Sequence, residues 1–155
     1  MDDDKFLDPI EARKKAMDYL ARREHARGEL LKKLTSFGFD PGVSEDAIAQ
    51  LIDDGLQSDR RFVEAFIRSR ISQGKGPAKI RADLRERGVG SALIDEGLNE
   101  ADQDWHKLAR EVRVKKFGTG RAGDFKEKAR QMRFLQSRGF EQDHIKAAIS
   151  ADGVF

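Results

Sequence analysis

The side chains of this chain that could do chemistry are mostly cations. Between Arg68 and Arg87 stand Arg68, Arg70, Lys75, Lys79, Arg81, Arg85 and Arg87, opposed only by Asp83 and Glu86. Between Lys107 and Arg133 stand Lys107, Arg110, Arg113, Lys115, Lys116, Arg121, Lys126, Lys128, Arg130 and Arg133, opposed only by Glu111, Asp124 and Glu127. From Asp40 to Asp59 there is no basic residue, while Glu45, Asp46, Asp53 and Asp54 lie inside. Charge is therefore segregated along the chain, although 30 Lys+Arg against 28 Asp+Glu leave a net charge of only +2. Many charge runs are no more than solvated helix faces. Clusters this weakly opposed also form a surface that attracts phosphate, with an affinity that falls as salt rises. The acidic stretch suits a partner that is basic in places, or separation between neighbouring parts of the chain.

Other chemistries find little support. There is no cysteine, so disulfides, thiolate nucleophiles and cysteine-held zinc are excluded. His25, His106 and His144 show no metal-ligand spacing, and no nucleophile–base set stands out. No catalytic residue, metal or cofactor is expected. Gly74-Lys75-Gly76-Pro77 and Gly118-Thr119-Gly120-Arg121-Ala122-Gly123 are rich in glycine but lack the Gly-Lys-Ser/Thr ending of a phosphate loop. They read as turns between helices. Because a helix N-terminus follows each, backbone contact with phosphate stays open.

The elements that carry these residues announce themselves by repetition. Leu34-Thr35-Ser36-Phe37-Gly38-Phe39 returns as Leu84-Arg85-Glu86-Arg87-Gly88-Val89 and as Leu135-Gln136-Ser137-Arg138-Gly139-Phe140. A period of about 50 residues marks an array of supersecondary units. Each unit reads as three helices. In the first, Ala12, Ala16, Tyr19 and Leu20 face inward, then Leu30, Leu31 and Leu34, then Ile48, Leu51, Ile52 and Leu56, with Ser44 as cap of the third helix after a turn at Asp40-Pro41-Gly42. In the second, Ser58-Asp59 caps a helix bearing Phe62, Val63, Phe66, Ile67 and Ile71. Pro77 opens the next helix, Gly88 closes it in a left-handed conformation, and Ser91 caps the last. In the third, Trp105, Leu108, Ala109 and Val112 face inward, followed by Ala129, Met132, Leu135, Ile145 and Ile149. Phe37, Phe39, Phe62, Phe66 and Phe140 are expected in the core. From the motif glycine to the next isoleucine is six residues in the second and third units and ten in the first, so Asp40–Val43 is an insertion.

The expected fold is all-α: three tandem three-helix, helix-turn-helix-like repeats in an elongated array. Residues 1–10 form a tail, and the repeats cover 11–58, 59–100 and 101–155. With 38% hydrophobic and 37% charged residues, an array whose units touch only their neighbours fits better than a compact globule. No apolar stretch approaches the ~20 residues of a membrane span, and Met1-Asp2-Asp3-Asp4 is acidic where a signal peptide is basic. A cytoplasmic protein is expected.

Two segments carry a resemblance. Tyr19-Leu20-Ala21-Arg22-Arg23 with Glu29–Leu34 and Gly38-Phe39 resembles the first repeat of the RecX family. Asp59–Arg70 with Gly76-Pro77, Ile80, Leu84 and Gly88-Val89 resembles its second. The likeness extends over about residues 12–150, more loosely in the third repeat. Ala26-Arg27-Gly28 departs from it, since the family has a serine opening this helix. The resemblance implies a negative regulator of the RecA recombinase, acting in homologous recombination, DNA repair and the SOS response. Such a protein binds the RecA–single-stranded-DNA filament along its groove and inhibits strand exchange, ATP hydrolysis and co-protease action without chemistry of its own.

The residues expected to meet the filament or nucleic acid are Arg68, Arg70, Lys75, Lys79, Arg81, Arg85, Arg87, Arg110, Arg113, Lys115, Lys116, Arg121, Lys126 and Arg130. Arg81 and Arg85, four apart on one helix, share a face. Single-stranded DNA, and more weakly duplex, should bind without sequence preference, and the protein is expected to be a monomer. The alternative is a helix-turn-helix protein acting directly on duplex DNA. That needs Arg, Asn or Gln aimed at base edges, and the candidate helices carry Arg and Lys with few Asn or Gln.

Overall fold

The computed structural model describes residues 2–150. Among them there are nine α-helices and no strand. The helices are α1 (Pro9–Arg22), α2 (Arg27–Phe37), α3 (Pro41–Asp53), α4 (Asp59–Ser72), α5 (Pro77–Glu86), α6 (Ser91–Ala101), α7 (Trp105–Phe117), α8 (Phe125–Ser137) and α9 (Gln142–Ser150), preceded by a 3-10 segment over Asp2–Leu7.

The thrice-repeated glycine sentence is a helix stop built the same way each time. The N–H of Phe39, Val89 and Phe140 donates to the carbonyl of Leu34, Leu84 and Leu135, at 3.0, 3.1 and 3.2 Å. The glycine N–H donates to the carbonyl three residues back, Thr35, Arg85 or Gln136. This is the Schellman arrangement, and it requires a left-handed residue at the glycine. Gly38, Gly88 and Gly139 have φ of +128, +83 and +94°. The leucine and the apolar residue after the glycine are buried in all three copies.

The chain forms two compact units. The first holds the residues up to Ala65 together with Leu84–Ile94, and the second holds Phe66–Asp83 together with the residues from Asp95 onward. The division passes through α4, α5 and α6, so the middle repeat gives residues to both. In the first unit Ala12, Ala16, Leu30, Leu34, Phe39, Ala47, Ile48 and Leu51 form the core, with Phe6, Tyr19, Leu20, Leu31 and Val43 against it. In the second, Leu108, Ala109, Leu135, Phe140, Ile145, Ala148 and Ile149 form the core, with Ile71, Trp105, Val112, Met132 and Phe134 around it.

Several local expectations are corrected. Phe37 is 47% exposed. It occupies the position before the motif glycine, where the other copies have Arg87 and Arg138, and that position faces outward; the buried aromatic is Phe39. Ile52 and Leu56 are exposed. The inner stripe of α3 is Ser44, Ala47, Ile48 and Leu51, so Ile52 is turned about 100° away, and Leu56 lies beyond Gly55, past the helix end. Asp40, not Ser44, caps α3: its Oδ2 accepts the Val43 N–H at 3.0 Å. Ser44 is buried inside the helix, its Oγ donating to the Asp40 carbonyl. The Asp40–Val43 insertion thus extends α3 by a turn at its start. The first intrahelical bond of α6, from the Ile94 N–H, is accepted by the Gly90 carbonyl, so Gly90 rather than Ser91 is its cap. Ser58 does cap α4, accepting the Arg61 N–H at 3.2 Å.

The missing serine before α2 has a long-range replacement. Ala26 offers no side-chain oxygen, and the Arg27 N–H donates instead to Asp59 Oδ1 at 2.7 Å. Asp59 also accepts from Gln57 Nε2 at 2.9 Å, and the Ala26 N–H reaches Glu29 Oε1 at 3.3 Å.

Candidate nucleic-acid interface

The second unit brings the start of α5 against the end of α8. The Gly76 N–H donates to the Arg138 carbonyl at 2.8 Å and the Ala78 N–H to the Gly139 carbonyl at 2.9 Å. The approach is so close that a Cβ on Gly139 would collide with the backbone and Cβ of Lys79. The segment is a turn, as expected, and the backbone contact with phosphate left open there is opposed, because carbonyls of the same unit already take two of its donors. At α8 the first turn is capped by Asp124, whose carboxylate accepts the Glu127 N–H at 2.8 Å. A phosphate there would meet a negative charge.

What the α5–α8 junction does gather is cations. Partial burial, and then the like charges of Arg138, Lys79 and Arg70, hold the Lys75 ammonium below the usual lysine value, with Asp83 opposing. Asp83 lies 3.5 Å from Lys79 Nζ and 4.0 Å from Arg70 Nε, and the Arg70 guanidinium sits 4.2 Å from the centre of the Phe66 ring. Arg138 also lines an open groove of about 730 Å³ with Lys107, Lys115 and Lys116, where Glu111 is the one acid. Its guanidinium and the Lys116 ammonium both lie over the Phe134 ring, at 5.1 and 5.6 Å. Lys107 belongs to the second basic cluster read from the sequence, but Arg138 was not among the residues expected at the site. For Arg138 the signal was present, since it occupies the same place in its repeat as Arg87.

The expected residues are divided between the two units. Arg68, Arg70, Lys75, Lys79 and Arg81 belong to the second unit, and Arg85 and Arg87 to the first. Arg68 and Arg85 are exposed. Arg81 pairs with Asp95, and Arg87 Nε lies 3.8 Å from Glu29. Lys115, Lys116, Arg121, Lys126 and Arg130 are exposed, Arg110 is half-buried, and Arg130 bonds Glu127 at 2.9 Å.

Arg113 is a correction: it is 2% exposed and cannot present its charge at the surface. It falls on the inner stripe of α7 beside Ala109. Its Nε donates to Gln131 Oε1 at 2.9 Å and its Nη2 to the Gly120 carbonyl at 2.7 Å. A buried charge needs such partners, and here they fasten the glycine-rich loop to α7 and α8.

The fold also gathers what sequence distance hides: ligand atoms of His106, Asp143 and His144 lie within 4.8 Å of one another. The His144 Nδ1 accepts the Glu141 N–H at 3.2 Å. In the neutral ring this leaves the proton on Nε2, facing Asp143 at 3.8 Å, which is a donor arrangement and not that of a metal ligand.

The matches to known proteins cover nearly the whole chain. The first, second and third three-helix domains of RecX match residues 12–51, 58–98 and 102–149. A protein of Halorhodospira halophila named "Regulatory protein RecX" is 46% identical over 136 residues, 88% of this chain and 84% of its own length. A "Regulatory protein RecX" of Pseudomonas putida is 42% identical over 92% of this chain and 91% of its own. Among solved structures, RecX from Lactobacillus salivarius superposes with a TM-score of 0.78 over 96% of this chain and 98% of its own at 20% identity, which speaks to the fold. With all three domains present in order and relatives this similar over most of their length, the chain belongs to the RecX family.

Proposed function

We propose that this protein restrains the RecA recombinase by binding the filament that RecA forms on single-stranded DNA, lying along its groove. It inhibits strand exchange, ATP hydrolysis and co-protease action by occupancy, with no chemistry of its own. It acts as a cytoplasmic monomer of three repeats, over residues 11–58, 59–100 and 101–155. The observation that carries the phosphate-binding part is the crowding of Arg70, Lys75, Lys79 and Arg138 at one junction, with Asp83 the acid among them. Cations held together at such a point repel one another, and an anionic partner relieves that repulsion. The groove beside it, with Lys107, Lys115, Lys116 and Arg138, extends the positive surface. Membership of the RecX family supports the choice of RecA as partner. Single-stranded DNA, and duplex more weakly, contributes through phosphate contacts without sequence preference.

The test is a RecA strand-exchange and DNA-dependent ATPase assay with the parent and a Lys75→Glu/Lys115→Glu variant. Neither side chain is in the core. Inhibition and single-stranded DNA affinity are expected to fall together, by tenfold or more, with circular dichroism unchanged. A parent that leaves RecA activity untouched refutes the reading. A folded variant that inhibits as well as the parent moves the site off this surface. Tight, salt-insensitive binding to one duplex sequence favours the direct duplex-binding alternative.

A further inference from the structure

A second surface of the same unit has a different character. Between α8 and α9 runs a groove of about 640 Å³, lined by apolar Phe125, Met132 and Ile145. Phe125, the first residue of α8, is 85% exposed. Every charged residue lining this groove is basic: Lys128, Arg133 and Lys146. Exposed aromatics and methionine beside arginine are the composition of a protein-binding surface. It differs from the α5–α8 junction, where Arg138 and Lys116 lie over the Phe134 ring and Arg70 over Phe66, whereas here Phe125 stands exposed.

Resting on the reading above, we infer that the α8–α9 groove docks an amphipathic helix of the RecA filament, its apolar face on Phe125, Met132 and Ile145 and its carboxylates against Lys128, Arg133 and Lys146. Charge complementarity selects the partner, because a basic or neutral segment would leave three like charges unbalanced. Dimensions agree. The nine residues of α9 make a wall about 13 Å long at about 1.5 Å per residue. Apolar anchors at i, i+3 or i+4, and i+7 of a docked helix span about 10 Å, the usual pattern of helix-in-groove recognition. Phe125 acts as the anchor: it is proud of the surface, and folding does not bury it.

The experiment compares the parent with Phe125→Ala and with Lys128→Glu/Lys146→Glu, measuring binding to RecA–single-stranded-DNA filaments and, separately, to single-stranded DNA alone. Phe125→Ala is expected to weaken filament binding at least tenfold and to leave affinity for free DNA within twofold. The charge-reversed variant is expected to weaken filament binding by more than it weakens binding to free DNA, and Phe125→Trp to keep most of the affinity. Unchanged filament binding by Phe125→Ala, with a parent that does bind, overturns the docking site and leaves the proposed function standing. A parent that fails to bind filaments overturns both. Parallel loss of free-DNA binding reassigns the groove to base stacking and overturns the inference. So does a parent dimer in sedimentation that Phe125→Ala dissociates, since the occupant is then a second copy.

Discussion

The α2–α5 junction of the first unit and the α5–α8 junction of the second are copies of one device, the first with its charges paired and the second with cations in excess. In each, the motif glycine of one repeat meets the start of the second helix of the repeat before it: Gly88 on Gly28, and Gly139 on Gly76. In each, the residue before that glycine is arginine. At the first junction Arg87 faces Glu29, which also holds Arg23 at 2.7 Å. Burial alone would push the Glu29 carboxyl up, but Arg23, His25 and the Ala26 N–H together hold it below the usual carboxylate range. At the second junction, Lys79 takes the place of Glu29. The adjoining grooves are of similar size, about 720 and 730 Å³, yet the first mixes Glu29 and Glu86 with Lys32 and Lys33 while the second is nearly all positive. One backbone solution is thus used once for cohesion and once to display charge.

The comparison can be broken at the glycines, where the effect should be largest. Gly139→Val adds a Cβ into the Lys79 backbone at a φ of +94°. It should cost about 4 kcal/mol or more by urea denaturation, among the larger single-site losses. Gly88→Val meets only the Gly28 Cα, at 3.9 Å. It should cost the left-handed strain alone, about 1–3 kcal/mol. Equal losses would mean that the two junctions are equally close-packed, against these distances. Leu84→Ala empties a fully buried site at the repeat's stop, and should cost about 2–5 kcal/mol in the same measurement.

Charge swaps sharpen the contrast with smaller effects. Glu29→Lys strands two arginines around a half-buried site and should destabilise by about 1–3 kcal/mol. Lys79→Glu copies the first junction into the second and gives Arg138 a partner. Stability should change by less than about 1 kcal/mol, while the slope of log affinity for single-stranded DNA against log salt should shrink by at least about 0.7, the loss of one phosphate contact. An unchanged slope would remove Lys79 from the interface.

The smallest effect is a pH dependence at His25. Its ring is buried, with Nδ1 3.0 Å from the Arg23 carbonyl and Nε2 2.9 Å from Lys33 Nζ. Burial first, then Arg23 and Lys33, lower its pKa, against the Arg23 carbonyl and Glu29, which raise it. The unfolded chain therefore binds this proton at a higher pH than the folded one. Stability should be full above about pH 6.5, the ordinary histidine value, and fall as pH drops below it. His25→Gln should flatten the decline between pH 7 and 5.

Much of the fold was legible because its signals are local. The leucine, glycine and apolar residue of each helix stop lie within six positions, and their hydrogen bonds close among themselves. Signals that depend on partners far along the chain were not legible. Arg113 looks like any surface cation until Gln131 and the Gly120 carbonyl enclose it. Arg81 looked unpaired until Asp95 came beside it. The Asp40 cap could have been read from the proline that follows it, which suits the first helical position, but a serine nearer the apolar stripe competed. At the candidate site the sequence showed which half of the chain is basic. It did not show that the glycine-rich turn at Gly74–Pro77 spends its donors internally, because the acceptors lie some sixty residues later.

That long reach matters most at the beginning of α2. Its first N–H is held by Asp59, 32 residues further on. A ribosome delivers the first repeat before it delivers this aspartate, so the nascent repeat emerges with an open helix end worth about 1 kcal/mol. Completion of the first repeat waits on the first residue of α4, and the two are coupled during synthesis as well as in the finished protein. A chain stopped at residue 65 should be less helical and more easily cleaved by protease when it carries Asp59→Ala, because the two chains differ only at the residue that holds this helix end.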